Sequence, residues 1–305
     1  MIEVDERDGL TNEIEDEDGV VKMTLGVGCG GKSHIMDEDS PIVTGEFSAG
    51  YVDGDGKVHD SFVVREMTGD EEDLLTAGGP VMVRLNRIVF NCLKEVGSVV
   101  DKNVLKDIVD KLNAVDRTIA LLQIRRVTVG NFFDVEIECS NKKCKEVTPF
   151  SIDLRDIELW KMPDPEVRNF TEVLRRSKKT VDWHVMMGDD EEWVSQYPGR
   201  KDIRMSLAIL ARVDKIDGEK LLSSRDPRKT KKEFRKAISA LRGLPMKDRS
   251  QLRKSFMENE GYADTSAEFA CPECGAELNG EIPMNDPRFF FPLETRKPLR
   301  MKLTS

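Results

Sequence analysis

Apolar and polar positions along the chain change period several times, and the changes mark out its elements. GEFSAGYV (45–52) and KVHDSFVVREM (57–67) are two strand-like runs either side of Asp53-Gly54-Asp55-Gly56, which predicts a β-hairpin. TGDEEDLL (68–75) follows, with Thr68 ahead of a cluster of acids, a capped helix start. VMVRLNRIVFNCLKEVG (81–97) has apolar residues at helical spacing and predicts a longer helix. A third helix is expected through 110–127, ending before Gly130. FFDVEIEC (132–139) then alternates as a strand does and delivers Cys139 and Cys144.

The order then recurs. Residues 169–186 predict two strands around a polar turn, and MGDDEEWV (187–194) echoes the acidic helix start. A helix is expected through 202–216, a second Asp-Arg helix through 244–261, and AEFAC (267–271) enters a second cysteine pair. Asp116-Arg117 precedes Cys139 by 23 residues, and Asp248-Arg249 precedes Cys271 by the same 23. The helix starts at Gly69 and Gly188 are 119 apart and the cysteine pairs 132 apart. The difference of 13 is assigned to a lysine-rich insertion in the middle of the second copy. Five elements in one order predict an α+β protein of two diverged repeats. The expected division is a flexible acidic and glycine-rich leader at 1–45, a first repeat at 46–165 and a second at 166–305.

Composition adds a charge asymmetry. The 305 residues carry a net −10, yet residues 1–20 hold nine acids against Arg7, a net of −8. Residues 225–254 hold twelve Lys or Arg against three acids, a net of +9. The first stretch reads as a solvated tail and the second as a solvated helix face. No apolar run reaches the ~18–20 residues that cross a bilayer. The acidic start excludes a secretory signal, so a cytoplasmic site of synthesis is expected, where thiols stay reduced.

Six cysteines in that setting point to metal ligands or buried thiols. Cys139 and Cys144 bracket four residues; Cys271 and Cys274 bracket two, with Gly275 just beyond. Thiolates so spaced on a tight turn can face one ion, and a closed tetrahedral site needs both pairs. One structural zinc per chain is expected on Cys139, Cys144, Cys271 and Cys274, a zinc-ribbon-like rivet between the repeats; the alternative is that each pair joins a neighbouring subunit. Cys92 is assigned to the core and Cys29 to a flexible region.

GVGCGGKS (26–33) spells a phosphate loop after the strand-like VVKMTL. The residues that follow, HIMDEDSP, are acidic and stopped by Pro41, and no βαβ alternation succeeds them, so nucleotide hydrolysis is rejected. His34, His59 and His184 lie in no triad or ligand context, and no catalytic residue is assigned. Trp160, Trp183 and Trp193 are expected in a core or interface, and Phe289–Phe291 partly as a core plug.

The strand pair, the Gly-Asp-acid helix start, the Asp-Arg helix and the strand entering FACPECGAELNGEIPM (269–284) with FFFP (289–292) together resemble a known family. It is that of the baseplate hub assembly proteins, or hub assembly chaperones, of T-even-type contractile-tailed bacteriophages, and the resemblance covers roughly residues 46–292. It implies a non-enzymatic role in building or remaining in the tail baseplate. The implied partners are other baseplate or hub proteins, with neither membrane nor small-molecule substrate. The implied location is the host cytoplasm during assembly and the virion tail. A zinc-ribbon nucleic-acid-binding regulator is the alternative, supported by CPECG and the basic stretch but disfavoured by the acidic whole.

Overall fold

The computed structural model describes residues 14–15, 21–24, 41–197, 201–226, 229–284, 286–291 and 299–300. Among them the chain is α+β, with eight α-helices and several small sheets. Within the stretch expected as a flexible leader, β1 (Ile14–Glu15) and β2 (Val21–Thr24) pair as antiparallel strands. The rest of residues 1–40, including the phosphate-loop-like Gly26–Ser33 and Cys29, lies outside the described residues.

The predicted hairpin is β3 (Ile42–Val52) and β4 (Val58–Arg65). Its turn is closed by Asp53, whose Oδ1 accepts the amides of Asp55 and Lys57 and whose Oδ2 lies 2.8 Å from His59 Nε2. That geometry uses up the Asp53–His59 pair as a turn lock rather than a ligand set. Helix α1 (Gly69–Thr76) begins as predicted: Glu71 accepts both the amide and the hydroxyl of Thr68.

The helix expected over 81–97 is corrected. Helix α2 (Val81–Cys92) stops, and Leu93–Val96 forms β5, antiparallel to β4. Leu93 and Val96 are buried on one face although three residues apart, because a register shift leaves Lys94 unpaired and sets Leu93 opposite Val64 and Val96 opposite Phe62. Gly97 ends it in left-handed backbone (φ 58°), where any Cβ would collide with the His59 ring. The third expected helix is two: α3 (Lys102–Lys111), capped by Asp101, and α4 (Ala114–Val129), capped by Asn113 and ended by Gly130. Helix α4 is the central element, with Ile119, Ala120, Leu121, Leu122 and Ile124 all buried.

Strands β6 (Phe132–Glu138) and β7 (Val147–Asp153) form the first cysteine ribbon, and β8 (Glu158–Trp160) then pairs with β2. A second hairpin, β9 (Asn169–Val173) and β10 (Thr180–His184), leads to α5 (Gly188–Ser195) and α6 (Arg204–Leu210). The helix expected over 202–216 is corrected as the earlier one was: it ends at Leu210, and β11 (Val213–Ile216) pairs with β10 and with β12 (Glu219–Lys220). The lysine-rich stretch is helical: α7 (Lys231–Gly243) buries Phe234, Ala237, Ile238 and Leu241 and turns its charges outward. Helix α8 (Met246–Asn259), β13 (Tyr262–Ala263) and the second cysteine ribbon, β14 (Ser266–Ala270) with β15 (Glu277–Glu281), complete the order. A 3₁₀ turn (Pro287–Phe290) follows, and β16 (Leu299–Arg300) lies parallel to β6.

Two main cores form. The first gathers β3–β5, α1–α4 and both ribbons, so that Cys271, Leu278, Ile282, Phe289 and Phe290 pack with residues of the first half. The second holds Trp183, Trp193, Phe234 and Phe256 among the residues of β9–β11 and α5–α8. Phe289 lies 5.0 Å from the Phe133 ring, and Phe291 is half-buried. No helix among the described residues is long and apolar enough to cross a membrane.

Candidate metal centre

Each cysteine pair sits where a ribbon turns back on itself. In the first, the Cys139 amide donates to Glu146 O at 2.8 Å, and the chain reverses through Lys145 in left-handed backbone (φ 53°). In the second, the Cys271 amide donates to Ala276 O at 2.8 Å, and the reversal falls on Gly275 (φ 68°). The four-residue and two-residue spacings thus converge on one geometry: a first cysteine at the strand end and a second just before the left-handed residue.

The ribbons face each other, with the rings of Phe150 on β7 and Phe269 on β14 at 4.4 Å. This brings the four predicted residues together: Cys139, Cys144, Cys271 and Cys274 have their sulfurs all within 4.8 Å of one another. Cys139 Sγ lies 3.6 Å from Cys274 Sγ, and Cys144 Sγ 3.8 Å from Cys271 Sγ. A tetrahedral ion with metal–sulfur bonds of about 2.3 Å has sulfurs about 3.8 Å apart. A disulfide would need about 2.05 Å, and all described cysteines are free. The donor set and its spacing are therefore compatible with a closed four-thiolate ion.

Electrostatics points the same way. At Cys139 the Asn141 amide favours the thiolate, but desolvation and the neighbouring sulfurs outweigh it and hold the thiol high. At Cys274 the Ala276 amide prevails over desolvation and, with the sulfurs, lowers it. Four thiols this close do not ionise together unless a cation balances them. Cys92, fully buried in the first core, is pushed up to about 12 by desolvation and lies outside the cluster, as a core thiol should.

A second junction ties the halves together, and the sequence singled out only part of it. Arg117 on α4, 1% exposed, donates to Asn86 Oδ1 on α2 at 2.7 Å and pairs with Glu191 on α5. Alongside it, the Ala114 amide donates to Met186 O at 2.9 Å and the Gly188 amide to Leu112 O at 3.1 Å. A Cβ at Gly188 would lie 2.9 Å from Arg117 Nη1 and 3.1 Å from Val109 O, so a larger residue there presses on the Arg117 guanidinium. Arg212 and Glu260 form a bidentate pair at 2.6 and 2.8 Å, and Glu260 Oε1 also accepts the Met186 amide. The Asp-Arg dipeptide was visible as a spacing marker, but its partners are distant in sequence and carry no local signal.

Two ribbons that meet through one tetrathiol cluster, on a helical body locked by buried ion pairs, define an α+β protein built round its cysteine junction. The profile of the family described as T4 bacteriophage base plate protein matches residues 63–292, and the chain belongs to that family. No curated protein and no solved structure matches it.

Proposed function

We propose that this chain is a non-enzymatic structural or assembly protein of the contractile tail baseplate. In this reading it is an adapter, stiffened by one zinc on Cys139, Cys144, Cys271 and Cys274, that contacts other baseplate or hub proteins. The observation that carries the reading is the cysteine cluster itself. It joins two segments 127 residues apart (Cys144 to Cys271), and four thiolates leave zinc no open position for substrate.

The same reading takes residues 46–165 and 166–305 as diverged copies, and matched side-chain roles support it. Sheet β3-β4-β5 and the run β9-β10-β11 share a strand order. Arg65 at the end of β4 pairs with Glu71 in the first turn of α1 at 2.9 Å, and His184 at the end of β10 meets Asp190 in the first turn of α5 at 3.0 Å, six residues on in each case. Asp116 accepts the Ser48, Ala49 and Gly50 amides of its hairpin, and Asp248 accepts the Arg176 and Ser177 amides of its own. Arg117 reaches Asn86 on α2, and Arg249 reaches Ser206 on α6 at 3.1 Å. A two-copy body presents two similar faces, a geometry suited to bridging neighbours in an assembly.

The test is affinity capture of the tagged chain from infected cells. Recovery of tail baseplate proteins, in the virion tail or in a pre-assembly complex, is the expected result. Recovery of ribosomes or polymerase without tail proteins would contradict the reading and favour the nucleic-acid regulator.

A further inference from the structure

The four cluster sulfurs differ in access and in neighbours. Cys139 and Cys271 are buried, Cys144 is half-buried and Cys274 is exposed. The 3.6 Å contact joins Cys139 to Cys274 and the 3.8 Å contact joins Cys144 to Cys271, so each runs from one ribbon to the other. Asn141 Nδ2, on the first turn, also donates to Cys274 Sγ at 3.7 Å. Each turn is braced internally. In the first, the Cys144 and Lys145 amides donate to Asn141 O at 2.9 and 3.1 Å, and the Lys143 amide to Asn141 Oδ1 at 3.1 Å. In the second, the Gly275 amide donates to Cys271 O at 2.8 Å. Drawing two sulfurs of one turn to the ~2.05 Å of a disulfide works against those bonds. Drawing one turn toward the other moves each as a unit, and the Phe150–Phe269 contact already holds the ribbons face to face.

We propose that the cluster is also a disulfide-forming site, in which oxidation links Cys139 to Cys274 and Cys144 to Cys271. Two covalent bridges then take over from the ion in joining the halves. The setting follows from the family: a tail baseplate is built in the reducing cytoplasm and carried out on the virion, where disulfides persist. The oxidant is a peroxide, and access decides where it enters. The exposed Cys274 sulfur attacks the O–O bond, releasing hydroxide and becoming a sulfenic acid. The Cys139 sulfur then attacks the Cys274 sulfur and displaces the second oxygen, which leaves as water. Two thiols thus give two electrons and two protons to one peroxide, which departs as two waters; a second peroxide does the same at Cys144 and Cys271. A bound Zn²⁺ is released unchanged, since it has no redox chemistry of its own. The bridges join residues 135 and 127 apart in sequence, spans over which a cross-link restricts the unfolded chain strongly. This inference deepens the cysteine junction proposed above, but it needs only the positions of the sulfurs and not the identity of an ion.

The test is stepwise oxidation of the purified full chain with hydrogen peroxide, followed by free-thiol titration and peptide mapping without reduction. Four of the six thiols are expected to disappear, with Cys139–Cys274 and Cys144–Cys271 as the linked peptides within one chain. In the presence of a chelator the oxidised chain is expected to unfold cooperatively. Its urea midpoint lies about 1 M or more above that of the reduced, chelated chain, and dithiothreitol abolishes the gain. Links within one turn, links to Cys29 or between chains, sulfinic acid in place of links, or no midpoint gain would each overturn the proposal. A chain without zinc that still forms both cross-ribbon links overturns the ion and leaves this inference standing. A zinc-bearing chain that oxidises to links within each turn does the reverse.

Discussion

Replacing Asp116 by alanine probes how the central helix holds the first hairpin. The Asp116 carboxyl is wholly buried and accepts three backbone amides, from Ser48 at 2.6 Å, Ala49 at 3.1 Å and Gly50 at 2.9 Å. They lie where the register between β3 and β4 shifts, so no strand partner can replace the carboxylate. Each orphaned buried donor costs about 1–3 kcal/mol, giving roughly 3–9 kcal/mol for three. Desolvation, opposed by the same amides, raises the Asp116 pKa to about 6, so burying the charge at neutral pH costs roughly 3 kcal/mol, which the alanine variant recovers. From the middle of that range, about 6, less about 3, the expected net loss is about 3 kcal/mol, read as a lower urea midpoint by tryptophan fluorescence. The pH dependence follows from the sign. A carboxyl raised in the folded state binds more protons there than in the unfolded chain, so its contribution falls as pH rises from about 4 to about 6. Asp116→Asn, which cannot titrate, flattens the stability profile in that window. An alanine variant within 1 kcal/mol of the parent at pH 7, by the roughly additive logic of orphaned amides, would refute the reasoning.

Three further outcomes are expected. His184, between Asp214 at 2.8 Å and Asp190 at 3.0 Å, has its pKa raised to about 9: desolvation lowers it, but the two carboxylates prevail. Its contribution, about 3 kcal/mol, is complete below pH ~6.5 and is lost as pH rises toward 9; in His184→Gln a urea titration against pH shows no such loss over that range. Arg117→Met strands Glu191 at the junction of the halves and lowers unfolding free energy by about 3 kcal/mol, whereas a surface pair of the Lys236–Glu219 kind changes it by less than about 1. Lys145→Gly removes a non-glycine residue from left-handed backbone and stabilises the chain by about 1 kcal/mol, while Gly275→Ala at the matching position destabilises it by a similar amount; thermal unfolding of both variants distinguishes them.

The parts legible in the sequence were those with a local cause. The Asp53–Gly56 turn, the Thr68 and Glu71 helix start, the Gly130 stop and the strands into each cysteine pair each depend on neighbours within a few residues. The cysteine cluster was legible because thiols in pairs restrict the possible partners severely. What escaped was set at a distance. Leu93–Val96 and Val213–Ile216 were read as helix tails, and both became strands because a hairpin edge lay open beside them. Leu93 and Val96, and Val213 and Ile216, are each three apart, a helical spacing, and a register shift in each strand brings both onto one face, so only the pairing decides. The break at Leu112–Asn113 escaped for a related reason: the backbone there pairs with Met186–Gly188, more than 70 residues away. Arg117, Arg125 and Arg126 look like a helix's solvated charges, yet all are buried.

The most direct test is elemental analysis of metal content per chain on freshly purified, reduced protein, beside a Cys271→Ser variant. The account predicts about one zinc per chain, lost in the variant together with cooperative unfolding. A native chain that folds cooperatively without zinc would contradict the claim that one ion on Cys139, Cys144, Cys271 and Cys274 holds the two ribbons together.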